Sequence, residues 1–499
     1  MAAHFPLRVS RMAMRVGPGA VSTRGIARGF LVVLVVVALG LAVGVPEQSL
    51  DVVLAVAAVG TAVLALIQPI VALPLLLFAV PFGGLTRGSS GDTASDLSFG
   101  AAEVLVAMLA VTWLAQGVRR RHLNVQAGAI VVIVLAMGSL ASFSIVYADD
   151  RPAAIKESLK WLELLLAVLI VVDLAAEPRL ARWVIGAMLV AGAAEAAYGA
   201  VQFLTDTGPG AFQLSGALRA FGHFDQPNPF AGYLTTILPL AICMALCPAN
   251  PTRFRWLALG SAGLLGVGIG LSQSRGAWLG AVVAAVCLLL AWSRATRRLL
   301  VPCALGAALA LALAVSGLLP AAILDRLGQT IEYFGVFDVR TVEVTSENWA
   351  VVERMAHWQA GWYMFLDHPW LGVGAGNYAA AYPQYFVGMW REALGHAHNY
   401  YLNILAELGV LGGALLLLLL ALAFRQLGVA LVRSEFARDT FWRAVLAGVF
   451  GGLVVFCIHN MFDSLFVHSV NIQVGVLLGL GLVAIDRLNA SRIDLPVSP

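Results

Sequence analysis

Charge is scarce in this chain. Asp, Glu, Lys and Arg together make up 12% of its 499 residues, where a soluble domain holds about 25%. That deficit excludes an ordinary water-soluble globule. Segments of about ten residues that alternate polar and apolar are lacking, which argues against a transmembrane β-barrel. Cysteine is sparse as well. Cys243, Cys247, Cys287, Cys303 and Cys457 all lie in apolar segments without CxxC spacing, so no disulfide or zinc framework is expected. They read as small buried apolar residues. A GxxxxGK phosphate loop is absent, and there is no internal repeat, low-complexity tract or separate soluble domain. The net charge of +3 carries little information, and no nucleic-acid partner is expected.

What fills the chain is apolar sequence, 60% of residues, arranged in runs of roughly the 17–25 residues that cross a bilayer. These predict an all-α, polytopic transmembrane helical bundle. Candidate helices fall at 28–45, 51–67, 69–82, 98–117, 126–147, 157–175, 181–204, 228–248, 254–272, 275–293, 299–319, 400–424, 443–465 and 469–486. Pro69 divides one long stretch, so residues 51–82 form either two spans or a re-entrant pair, and the total is about 12–14 helices. Arg8, Arg11, Arg15 and Arg24 precede the first run. Its length and the spans that follow favour an uncleaved first helix over a signal peptide.

The expected organisation is a cytoplasmic tail (1–27), a bundle of about eleven helices (28–319), an extramembrane loop (320–399), C-terminal helices (400–486) and a second cytoplasmic tail (487–499). With the N-terminus in the cytoplasm, most of the 31 Lys and Arg residues fall on the cytoplasmic side, as the positive-inside rule requires. Residues 205–227, the 272–275 turn and the 320–399 loop are then outside. The loop carries Trp349, Trp358, Trp362, Trp370 and Trp390, and 353–372 reads as an amphipathic helix lying near the bilayer. An interfacial aromatic belt is the plainer account of these rings; a lid with sugar-stacking aromatics is the sharper one.

Three polar residues at the edges of spans then share one face. Arg275 opens a helix just after Ser272-Gln273-Ser274, where free N–H groups, the helix dipole and a guanidinium fork all suit phosphate. Arg219 lies in an outside loop nine residues before Asn228-Pro229, a pair that reads as an N-cap followed by Pro at the first helical position. His398 precedes Asn399, another candidate N-cap, and its ordinary pKa of about 6.5 suits a general base. His396 is the alternative base. No third ligand stands beside the two histidines, so no metal is expected. Glu407 and Asp463 read as carboxylates within apolar helices, with His459 and Asp463 on one helical face, and both read as hydrogen-bonding glue for the bundle. Two fixed cations and a titratable base on one face suggest a site for a phosphate-bearing lipid and a hydroxyl nucleophile.

From about residue 210 to 470 the chain resembles the O-antigen ligase and O-antigen polymerase superfamily of bacterial inner-membrane glycosyltransferases. The resemblance rests on RAFGHFDQPNPFAGYL, LSQSRGAWLG, DHPWLGVGAGNY and HAHNYYLNILAELGVLG, in that order. DQPNP departs from the shorter small-polar run that the family carries before its Asn-Pro. The resemblance implies a GT-C-like, metal-independent, inverting enzyme without a cofactor, multi-pass in the cell inner membrane with its active site facing the periplasm. It would move a glycan from an undecaprenyl-diphosphate carrier to the hydroxyl of a glycan or lipid A core acceptor, with a protein side chain as the third and last-ranked acceptor in the family. It assigns catalysis to Arg219, Arg275 and His398, with Asn228, Gln273, His396 and Asn399 as substrate contacts. The competing class is a secondary transporter or a flippase for lipid-linked glycan, which would carry polar groups and broken helices near mid-membrane, often in inverted repeats.

Overall fold

The computed structural model describes residues 69–81, 100–121, 123, 128–214, 216–316, 337–345, 348–435 and 437–493. Within them the protein is helical apart from one two-stranded ribbon. The helices expected at 28–45 and 51–67 lie outside the described residues. In chain order come α1 (Pro69–Ala79), α2 (Ala101–Arg120), α3 (Ala129–Ser144), α4 (Arg151–Leu174) and α5 (Pro178–Thr205). The ribbon follows, β1 (Gln213–Leu214) against β2 (Ala217–Leu218), then α6 (Pro227–Leu246), α7 (Thr252–Ser272), α8 (Arg275–Trp292), α9 (Arg294–Arg297) and α10 (Leu300–Val315). The remaining helices are α11 (Trp349–Asp367), α12 (Tyr378–Ala381), α13 (Tyr400–Arg433), α14 (Thr440–His459) and α15 (Val470–Ile493).

Eight helices among the described residues are long and apolar enough to cross a membrane: α2, α5, α6, α7, α8, α13, α14 and the Val470–Ser491 part of α15. The protein is therefore a polytopic membrane protein. Large apolar side chains such as Val118, Trp256 and Val282 stay exposed on these helices, as expected where lipid rather than water is the solvent. At the centre, α14 packs along α6, α8 and α15, and α4 packs along α15.

Several boundaries differ from the hydropathy reading, each for a local reason. α4 begins at Arg151 rather than 157, because the Asp150 carboxylate accepts from Ala153 N at 3.0 Å and Pro152 sits in the first turn. α6 is capped by Gln226 with Pro227 in its first turn, so Asn228 is not the N-cap and its side chain is used elsewhere. α11 starts at Trp349 and ends at Asp367, short of residue 372. Pro369 lies two residues past its end, and Gly372, Gly374 and Gly376 follow at positive φ.

Two corrections bear on the site. α14 stops at His459, not at 465. The Asn460 side chain donates to Phe456 O at 2.8 Å and accepts from Leu465 N at 2.8 Å, which folds the chain into a loop. Asp463 thus lies in that loop, and no helical face joins it to His459. α13 is broken at Gly409, whose φ of 61° and ψ of −161° leave the helix. The break receives the glycine-rich segment of the loop: Val410 N donates to Pro369 O at 2.8 Å, Val373 N to Ala406 O at 3.0 Å and Gly374 N to Glu407 O at 2.9 Å. The Glu407 carboxylate accepts from Gly376 N at 2.9 Å and Tyr378 N at 3.2 Å. The DHPWLGVGAGNY block is in this way docked on α13, just below the turn that carries the two histidines.

Candidate active site

The loop holding Arg219 is fixed before its side chain does anything. The β1–β2 ribbon pairs Gln213 with Leu218 and Leu214 with Ala217. Arg219 N then donates to Phe212 O at 3.0 Å and Ala220 N to Leu271 O at 3.1 Å. Further along, Gln202 on α5 holds both backbone groups of Gly222, at 2.7 and 2.9 Å. Glu195 takes the backbone N–H of His223 at 2.6 Å and its ring Nδ1 at 2.9 Å. The ring of Tyr198 stacks on His223 at 4.2 Å. Glu195 and Gln202 therefore serve as a clamp that pins RAFGHFD to α5.

From this platform Arg219 reaches two elements. Its Nε donates to Ser272 O at 2.8 Å, and its Nη2 donates to Asn228 Oδ1 at 3.0 Å. The first contact ties it to the α7–α8 turn. There Gln273 ends α7 in the left-handed region at φ 51°, and Arg275 opens α8 behind Ser274, whose side chain makes no capping bond. At the next residue, a Cβ on Gly276 would stand 2.9 Å from the His459 ring. The start of α8 and the end of α14 consequently touch at this point.

Asn228 makes the second connection. Its Nδ2 donates to Asp463 Oδ2 at 2.7 Å, while the same amide accepts from Arg219. Asp463 is 2% exposed, and its other oxygen accepts from Ser464 N at 2.8 Å. That oxygen also lies 3.4 Å from His398 Nδ1 and 3.7 Å from His396 Nε2. Burial opposes ionisation of Asp463. The His398 hydrogen bond and the charges of His398, His396 and Arg354 outweigh it and hold the carboxyl well below the usual carboxylate range. Asp463 is thus a buried anion facing two imidazoles.

The histidine turn is held residue by residue. His398 sits at φ 51°, a conformation uncommon outside glycine, with its N–H donated to His396 Nδ1 at 3.1 Å. Ala397 N donates to Asn403 Oδ1 at 3.0 Å, and Trp358 Nε1 donates to His398 O at 3.3 Å. Asn399 caps α13 by accepting from Leu402 N at 3.1 Å, and Tyr400 N donates to Asn460 O at 2.9 Å. Burial, then the charge of His398, push His396 down to about 4. Burial, then the charges of His398 and His396, push His357 down to about 3. Both are neutral near pH 7. The carboxylate beside His398 Nδ1 favours the tautomer with hydrogen on that nitrogen, which leaves Nε2 as the proton acceptor.

The expected residues are brought together unevenly. Arg219, Asn228, His398 and His396 form one chain of contacts through Asp463. Gln273 and Arg275 join it through the turn that Arg219 grips, and Asn399 acts as a helix cap. Asp463, placed in a helix by hydropathy, is the residue that sequence reasoning missed. It also corrects the premise that no third ligand stands beside the histidines. His396, His398 and Asp463 offer ligand atoms all within 4.8 Å of one another. Separations of 3.4 and 3.7 Å are near the roughly 3.3 Å edge of a tetrahedral site with zinc–ligand bonds of about 2.0–2.1 Å. These residues are a candidate ligand set for a metal ion, and without one they hold a His398–Asp463 hydrogen bond with His396 alongside.

Together, the fold and this polar cluster define a polytopic helical membrane protein with an extended polar network gathered at the ends of its helices. Residues 260–417 match the family model described as O-antigen ligase. The match covers less than half of the chain and marks that stretch as similar to the O-antigen ligase family. A comparison with curated proteins gives no match. The matched stretch includes Gln273, Arg275, His396, His398 and Asn399. Arg219, Asn228 and Asp463 lie outside it and reach the domain through the hydrogen bonds above.

Proposed function

We propose that this protein is a glycosyltransferase that moves a glycan from undecaprenyl diphosphate to an acceptor hydroxyl on the extracytoplasmic face of the inner membrane. The observation that carries this reading is the bridge at Asn228. One amide links a guanidinium, suited to a leaving diphosphate, to the carboxylate that faces a candidate base. In the reaction the acceptor oxygen attacks the anomeric carbon of the donor sugar, and its proton passes to His398 Nε2. The bond from that carbon to the phosphate oxygen breaks, and the electron pair leaves with undecaprenyl diphosphate. Arg219 and Arg275 meet the growing negative charge, and Asp463 offsets the charge of the imidazolium. Attack opposite the leaving group inverts the anomeric centre. Gln273, at the end of α7, and Asn399, at the start of α13, are the sugar contacts in this reading.

The acceptor is a lipid A core sugar in a ligase, or a growing glycan in a polymerase. The periplasmic orientation rests on the distribution of Lys and Arg. Transport is the weaker reading. A broken helix such as α13 is what a transporter uses to bind ions, but here the backbone groups at the break are taken by residues 369–374. Guanidinium groups supply the leaving-group stabilisation, so the reading is metal-independent.

One assay tests both points. Purified protein given a lipid-linked glycan and an acceptor is expected to form glycosidic bonds and release undecaprenyl diphosphate, at a rate unchanged by EDTA. Movement of the intact carrier across a bilayer without bond formation would exclude the enzyme. Loss of activity on chelation that zinc restores would instead assign His396, His398 and Asp463 to a metal.

A further inference from the structure

Glu353 has no part in the reaction as written. It lies on α11, four residues after Trp349 and four before His357, so the three side chains share one face of that helix. Rings fix both ends of this face. The Trp349 ring meets Trp390 edge-on at 4.6 Å. The His357 ring stacks on Tyr382 at 4.8 Å and meets the His398 ring edge-on at 5.5 Å. Tyr382 Oη donates to Trp390 O at 2.8 Å, which ties the two ends together. Glu353 is therefore set in a bay bounded by Trp349, Trp390, Tyr382 and His357, with His398 at one side.

The carboxyl is half-buried, and none of the ion pairs among the described residues includes it. Burial pushes it up, and the charge of His398 is the strongest influence pulling it back, so carboxyl and imidazole lie within each other's field. The Trp349 side chain supplies one hydrogen bond. An ionised carboxyl has about four acceptor sites, so most of its capacity is left for a ligand. Trp349 is itself 44% exposed, which leaves part of an indole open beside the carboxyl.

The surroundings of His398 say which substrate this bay meets. Asp463 takes Nδ1, so an incoming hydroxyl approaches Nε2. α11 is the extramembrane helix whose histidine ring stands against that imidazole. A carboxyl next to an exposed indole suits a sugar. Adjacent hydroxyls donate to the carboxyl, and the apolar C–H face of the sugar rests on the aromatic ring. The same bay suits an anionic group poorly, because Glu392 adds a second carboxyl to the field around Glu353.

We infer that Glu353 and Trp349 form the subsite for the acceptor sugar, and that it takes a neutral sugar with adjacent hydroxyls in preference to a phosphorylated or acidic one. This rests on the glycosyltransferase reading and adds to it the groups that present the acceptor hydroxyl to His398.

The test uses the purified full chain in lipid nanodiscs with a lipid-linked glycan as donor. Lipid A bearing its core sugars is the acceptor in one arm, and the lipid-linked glycan itself in the other. Transfer to the acceptor and hydrolysis of the donor by water are measured together. Glu353→Gln keeps the shape of the side chain and removes its charge. It is expected to raise the KM for the acceptor and to lower the ratio of transfer to hydrolysis, each by about tenfold, with the KM for the donor unchanged. Glu353→Asp, which keeps the charge, should recover part of the loss. Trp349→Ala, a change at an exposed position, should raise the acceptor KM by about fivefold. A wild-type acceptor KM in these variants, or transfer and hydrolysis falling in parallel, would overturn the inference while leaving the enzyme reading intact. Absence of transfer to either acceptor by the wild-type protein would overturn both.

Discussion

Replacing His398 by Ala is expected to lower glycan transfer by roughly 10²–10⁴-fold, the usual contribution of a positioned general base. The protein should still insert and remain helical. The turn at 396–399 is held by Asn403, Asn399, Trp358 and Asn460, and most of these bonds use its backbone, so truncating one imidazole leaves the scaffold in place. The φ of 51° at His398 is a conformation Ala dislikes, which sets a small stability cost apart from the catalytic one. His398→Asn tolerates that backbone better and separates the two effects: it should match Ala in turnover and exceed it in thermal stability. His396→Ala should cost much less in turnover. The reverse order would move the base to His396.

Arg275→Ala is expected to cost roughly 10²–10³-fold in kcat, the range for losing one preorganised donor to a developing anion. Arg275→Lys keeps the charge but loses one arm of the fork. A hydrogen bond to a charged group is worth about 1.5–3 kcal/mol, so the Lys form should run roughly ten- to a hundredfold below wild type. Arg275 opens α8 beside the turn that Arg219 grips. The loss should therefore appear in kcat and in donor affinity, with acceptor affinity unchanged. Full activity in the Lys variant would reduce the role of Arg275 to charge neutralisation.

How much of this was legible in the sequence depended on the range of the interaction. The helices were legible because hydropathy is summed along contiguous residues, and Arg219, Arg275 and His398 stood out as polar groups at the ends of such runs. The motif order carried the family resemblance, and the O-antigen ligase match falls within the same stretch. Asp463 was misplaced because a hydropathy window does not register a helix stop made by one Asn. Its partners, His398 and Asn228, are 65 and 235 residues away, beyond any spacing rule. The break at Gly409 escaped for a similar reason: one glycine in LNILAELGVLGG is averaged away, and only the loop that enters the gap reveals it. Glu195 carried no interpretable motif because its meaning lies in the His223 loop that it clamps.

The central claim is that Asp463, reached from the cationic side through Asn228, acts on the reaction through His398. A double-mutant comparison measures this directly. In the wild-type background Asp463→Asn is expected to reduce turnover by up to about 10⁴-fold, the cost of the same change in a Ser-His-Asp triad. In the His398→Ala background the same substitution should cost almost nothing more, since residues that work as one unit are strongly non-additive. Two losses that multiply in the double variant would contradict the account, because Asp463 would then be acting on the reaction by a route that does not pass through the imidazole.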